Sequence, residues 1–131
     1  MKYLTTLLLL LLPALAARAD GEGAAIQFAE KAYDFGTIAE QGAPVSHEFE
    51  FTNTGDAPLM ILNATASCGC TRPDFPKKTV KAGKTGKIKV TYLPAGRPGE
   101  FEKTVTVKTN AKRQKKVTLR IKGFVTPEAK R

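Results

Sequence analysis

Tryptophan is absent, histidine occurs once and cysteine twice, and each scarcity closes a class of chemistry. A serine hydrolase needs a serine held against a histidine base. The only serines are Ser46 and Ser67, and the single histidine, His47, adjoins Ser46 in an alternating stretch that turns the two side chains to opposite faces. A structural zinc centre takes four Cys or His ligands, more than the chain can supply. Two cysteines are also too few for a disulfide-framed fold. Helical signals are missing as well, since no run of about ten residues combines an apolar stripe with caps. Without a helix there is no strand–loop–helix phosphate cradle. Together these gaps predict a protein that is not an enzyme.

Long apolar runs are limited to one, at the N-terminus. Lys2 gives a positive start, Leu4 to Leu12 is apolar except for Thr5 and Thr6, and Pro13 ends the run. Ala17-Arg18-Ala19 fits the small-x-small pattern of a signal-peptidase site, with Ala14-Leu15-Ala16 as a second candidate. A spanning helix wants about 20 apolar residues, so the run is too short to be an anchor. Residues 1–19 are therefore expected to be a cleaved signal peptide, and the protein to be periplasmic or secreted. No cysteine follows the cut to take a lipid. The mature chain, Asp20 to Arg131, has the length of one domain. The domain is placed at 20–125, followed by a frayed polar tail at 126–131, with no membrane span in the mature chain.

Acidic residues are the minority, 12 against 21 Lys and Arg, for a net charge of +9. The basic residues are spread along the chain, and the densest group, Lys112, Arg113, Lys115 and Lys116, flanks a turn. Such lysines keep sheet edges from pairing. No nucleic-acid partner is expected for an exported chain of this kind. The polyanions its charge would suit are those of the cell envelope.

What is abundant is alternation of period two. Val45, His47, Phe49 and Phe51 share one face, against Ser46, Glu48 and Glu50. Ile88, Val90 and Tyr92 repeat the pattern, as do Phe101, Val105 and Val107, then Val117, Leu119, Ile121 and Val125. Glycine, proline and asparagine punctuate these runs at 53–56, 81–86, 94–99 and 110–112. With Ile26–Phe28, Tyr33–Phe35 and Leu59–Ala64 added, the count is about seven strands, the pattern of an immunoglobulin-like antiparallel β-sandwich. Phe124 falls on the outward parity of the last strand, where it caps the sandwich end or joins a binding patch.

Several motifs within this frame are specific: Asp34-Phe35-Gly36, Phe51-Thr52-Asn53-Thr54-Gly55, Cys68-Gly69-Cys70-Thr71, Gly99 two before Phe101, and Thr109-Asn110. From about Tyr33 to Val125 the chain resembles a bacterial family of exported domains of unknown function, common in the Bacteroidota and marked by a Cys-Gly-Cys-Thr motif. The resemblance implies a fold related to the major-sperm-protein and Hydin-type immunoglobulin-like domains, and an exported location. It implies no activity. One departure is Asp74-Phe75-Pro76, where many members carry tryptophan.

Cys68 and Cys70 are the chemically distinctive pair. On an extended strand their Cα atoms would lie about 7 Å apart on one face, at the limit of disulfide reach, and a bend at Gly69 could close the gap. Three readings stand. The pair fills a strand end as small apolar residues. It forms a bridge whose very small ring restrains the unfolded chain little, which points to redox exchange rather than to stability. Or two thiolates form a soft site suited to copper as Cu(I). His47 and Met60 are the only other soft or imidazole ligands in the mature chain. Their plain readings are a rim histidine bonded to backbone and a core filler. The functional expectation is a non-enzymatic exported binding or assembly module with a protein or cell-envelope partner, docked along a sheet edge. The alternative is a copper-binding or thiol-redox protein using Cys68-Gly69-Cys70.

Overall fold

The computed structural model describes residues 23–127, so the signal segment expected at 1–19 and most of the tail lie outside the described residues. Eight strands are found among the described residues: β1 (Ile26–Phe28), β2 (Ala32–Ala39), β3 (Val45–Asn53), β4 (Ile61–Ala66), β5 (Thr71–Asp74), β6 (Thr85–Tyr92), β7 (Gly99–Thr109) and β8 (Lys116–Thr126). They form two four-stranded sheets in the orders β1-β3-β6-β5 and β2-β8-β7-β4. The alternating runs supply the inward faces, as the periodicity predicts. Phe49, Phe51, Ile88, Val90, Tyr92, Val105, Val107, Leu119, Ile121 and Val125 are all buried. Each large apolar side chain so buried contributes about 1.5–3 kcal/mol. The result is the predicted all-β immunoglobulin-like sandwich.

Three details differ from the sequence reading. The eighth strand is β5, which Pro73 hides from a propensity argument. It is tolerated because β5 is an edge strand, where a missing N–H breaks no inner ladder. One pairing is parallel, β2 on β8, with a bulge between Asp34 and Thr37. There the Gly36 N–H donates to the Asp34 carboxylate at 2.8 Å and Gly36 takes φ of +70°, so Asp34-Phe35-Gly36 is a turn-like kink in an edge strand. Thr126, expected in the frayed tail, closes β8 and donates its hydroxyl to the Ile38 carbonyl at 3.2 Å.

Two glycines face rings across neighbouring strands. A Cβ on Gly86 would lie 2.5 Å from the Phe51 ring, and one on Gly123 2.8 Å from the Phe101 ring. Each sheet thus sets one aromatic ring against a glycine of the neighbouring strand. Phe101 also stacks on Tyr92 at 3.8 Å between centroids, joining the two sheets across the core.

The remaining motifs are knots of backbone satisfaction. Asn53 is fully buried. Its amide donates to the carbonyls of Ala57 (2.8 Å) and Val80 (2.9 Å), and its oxygen accepts from Gly55 (3.0 Å) and Ala25 (3.3 Å). A Cβ on Gly55 would come within 2.1 Å of the Gly23 carbonyl oxygen, so the approach of the chain before β1 requires glycine. Asn110 ties the end of β7 to the start of β4, accepting from the Met60 N–H at 2.8 Å and donating to the Pro58 carbonyl at 3.2 Å.

Candidate functional site

Residues 67–70 carry the chain from β4, at the edge of one sheet, to β5, at the edge of the other. The crossing is held at both ends. The Ser67 N–H donates to the Thr104 carbonyl at 2.9 Å, and the Ser67 hydroxyl accepts from the Thr104 N–H at 3.1 Å. Beyond the motif, the Leu93 N–H donates to the Cys70 carbonyl at 2.8 Å, and the Thr71 N–H turns back to the Cys68 carbonyl at 3.1 Å.

Between these anchors Cys68 and Cys70 are joined by a disulfide, with their Cα atoms 5.2 Å apart. The backbone bends rather than extends here, which brings the pair inside the usual span of about 4.4–6.8 Å. The bend owes nothing to a left-handed glycine, because Gly69 is not among the positive-φ residues. A Cβ built on Gly69 meets no atom outside residues 68–70 within 4 Å. Neither its φ nor crowding from other segments therefore requires glycine at this position.

The two sulphurs have unequal surroundings. Cys70 is 1% exposed and belongs to the core, whereas Cys68 is only partly buried and packs against the core's margin. The Cys70 N–H donates to the Cys68 sulphur at 3.1 Å, and the buried Thr71 hydroxyl lies 3.6 Å from the Cys70 sulphur. Thr71 pairs with Tyr92 across β5 and β6. Burial pushes the Tyr92 hydroxyl pKa above its ordinary value, opposed by the nearby Arg97 charge.

The other proposed ligands are placed elsewhere. His47 stacks on Tyr33 at 3.6 Å and its Nε2 pairs with the Glu30 carboxylate, so its partner is a side chain and not the backbone expected. Met60 is 38% exposed at the far end of β4 from the cysteines, a correction to its reading as core filler. The cause is local: Leu59 and Ile61 point inward and Met60 between them points out. Among the described residues no group of three or more His, Cys, Asp or Glu could hold a metal. Bonded to each other the two sulphurs offer copper no thiolate, so a soft-metal site would need the bridge reduced.

Sequence reasoning missed the β4 edge. A register shift between Ile61 and Asn63 inserts Leu62 as an extra residue against β7. Ile61 is inward before the bulge, and Ala64 and Ala66 are the more buried positions after it. Leu62 is left 55% exposed beside Met60, on an edge strand with no charged side chain. The uncharged sequence Ile61–Ala66 was the available signal. Phe124, on the outer face of the same sheet, is 42% exposed and lines a shallow groove with Asp34, Glu100, Glu102 and Lys122.

Two four-stranded sheets packed face to face define an immunoglobulin-like sandwich. Residues 26–125 match the family described as "Protein of unknown function (DUF1573)", and the chain belongs to that family. No curated protein matches it. Among solved structures it resembles a protein of unknown function from Porphyromonas gingivalis W83, with 13% identity, a TM-score of 0.69, and coverage of 85% of this chain and 51% of that one. The chain thus spans about half the length of that protein. It also resembles a PapD-like domain of human CEP192, with 20% identity, a TM-score of 0.57, and coverage of 80% and 87%. The E. coli chaperone DraB is similar at 14% identity and a TM-score of 0.54, over 83% of this chain and 58% of that one. At these identities the likeness concerns the fold.

Proposed function

We propose that this chain is a non-enzymatic binding and assembly module, exported by residues 1–19, that docks an extended segment of a partner protein on the free edge of β4. The carrying observation is that edge itself. Natural edge strands are guarded by charge, proline or brevity. β1 has three residues and β5 contains Pro73, but β4 has six residues with no charge and presents Leu62 with Met60 beside it. An added strand would draw affinity from backbone hydrogen bonds and specificity from such alternate side chains. The likeness of the fold to a bacterial chaperone supports the same class of role.

The test is site-specific photocrosslinking in cells producing the full chain. A photoreactive residue at Leu62 is expected to give a discrete protein adduct in the exported fraction, and one at Lys122 on the outer face none. Equal adducts at both positions, or none at Leu62, would contradict docking on β4. N-terminal sequencing of the exported protein is expected to begin at Asp20.

A further inference from the structure

We infer that the Cys68–Cys70 bridge is a thiol–disulfide exchange site that accepts two electrons from a dithiol on a partner protein, with Cys68 as the sulphur attacked. The inference stands on the crossover and does not depend on docking at β4.

Four observations carry it. The bridge joins residues two apart, so it closes a minimal ring and constrains the unfolded chain little. Its crossing is already fixed by the Ser67–Thr104 and Leu93–Cys70 hydrogen bonds, which leaves the bridge little to hold in place. The two residues are unequally covered, Cys68 being partly exposed and Cys70 buried, so an incoming thiolate has its approach from the Cys68 side. Gly69 is exposed, and no atom outside residues 68–70 lies within 4 Å of where its Cβ would be, so no other segment of the fold covers that side of the crossover. Thiolate attack needs such access.

The step balances as follows. A partner thiolate attacks the Cys68 sulphur, a new S–S bond forms between them, and the Cys68–Cys70 bond breaks with its electron pair leaving on Cys70. The Thr71 hydroxyl, 3.6 Å from that sulphur, is placed to donate to the departing thiolate until it takes a proton from solvent. The partner's second thiolate then attacks its own sulphur in the mixed disulfide and releases Cys68 as a thiolate, towards which the Cys70 N–H is already directed at 3.1 Å. The partner's dithiol ends as a disulfide and this chain as a dithiol, with two electrons and two protons transferred. By reversal, Cys68 is also the nucleophile of the reduced form.

The test uses the full chain, reduced under native conditions with dithiothreitol, desalted, and pulsed with iodoacetamide for mass spectrometry. Cys68 is expected to be alkylated at least about tenfold faster than Cys70, as thiolate exposure and access dictate. Equal labelling, or Cys70 first, would overturn the assignment. A second variant avoids altering either cysteine. Gly69→Leu is expected to keep the fold, because its φ is ordinary and no other segment crowds the position, while slowing reduction of the bridge by dithiothreitol severalfold. A Gly69→Leu protein that is folded by circular dichroism and reduced at the wild-type rate would remove the role given to the open flank and count against the inference.

Discussion

Asn53 and the Cys68–Cys70 pair both stand where the chain leaves one sheet for the other, and the two places are built in opposite ways. Asn53 is sealed: its side chain makes four hydrogen bonds to backbone groups in three separate segments, and Gly55 beside it leaves no room for a methyl group. The cysteine crossover is more open: no other segment crowds Gly69, and only Cys70 of the two cysteines is fully buried, with Cys68 at the core's margin. A buried amide with every partner met belongs to the stability of the sandwich. A small-ring bridge on an open flank adds little to stability, about 1.5 kcal/mol by loop entropy, and its chemistry remains accessible.

That contrast can be broken by mutation, and the largest effect is expected at the sealed end. Asn53→Ala strands buried N–H and carbonyl groups and should cost about 3 kcal/mol or more, lowering the melting temperature by roughly 12 °C or more. Calorimetry showing a shift of only a few degrees would mean the knot is not structural. Next comes Gly86→Ala, whose added methyl group meets the Phe51 ring at 2.5 Å. Overpacking of this kind costs about 1–3 kcal/mol, and a urea titration with the midpoint unchanged would show the ring is free to move. Cys68→Ser should cost less than either, within about 2 kcal/mol in the same titration. A larger loss would make the bridge a staple after all.

Much of this layout was legible in the sequence because its cause is local. The period-two faces of β3, β6, β7 and β8 follow from residues two apart, and they gave the sandwich. The Asn53 knot was visible only as a motif, because its partners at Ala25 and Val80 are 28 and 27 residues away. The parity change at Leu62 depends on how β4 registers against β7, which no alternation within β4 records. β5 was hidden by Pro73, and only its place at an edge makes that proline acceptable. The cysteine spacing raised a short bridge as one reading, whereas the unequal burial of the two sulphurs required the fold.

Smaller effects sharpen the picture. Tyr92 keeps a raised pKa through burial, so the folded chain holds that proton more tightly than the unfolded chain. Its contribution is therefore fully present below the unfolded value of 10.0 and is lost as pH rises from there through the folded value. Urea midpoints measured from pH 8 to pH 11 should fall towards the alkaline end, and less steeply in Tyr92→Phe. Leu62→Lys should be nearly silent in stability, within about 0.5 kcal/mol, as for an exposed position. In cells it should abolish crosslinking from a photoreactive residue at Met60, and persistence of that adduct would move the docking surface elsewhere.

The most direct measurement follows free thiols and melting temperature in one native sample during reduction with dithiothreitol. Two thiols per chain should appear while the protein stays folded, with a melting temperature only a few degrees lower. If the thiols stay blocked until the sandwich itself unfolds, the bridge is a sealed structural element like Asn53, and the contrast between the two crossings is wrong.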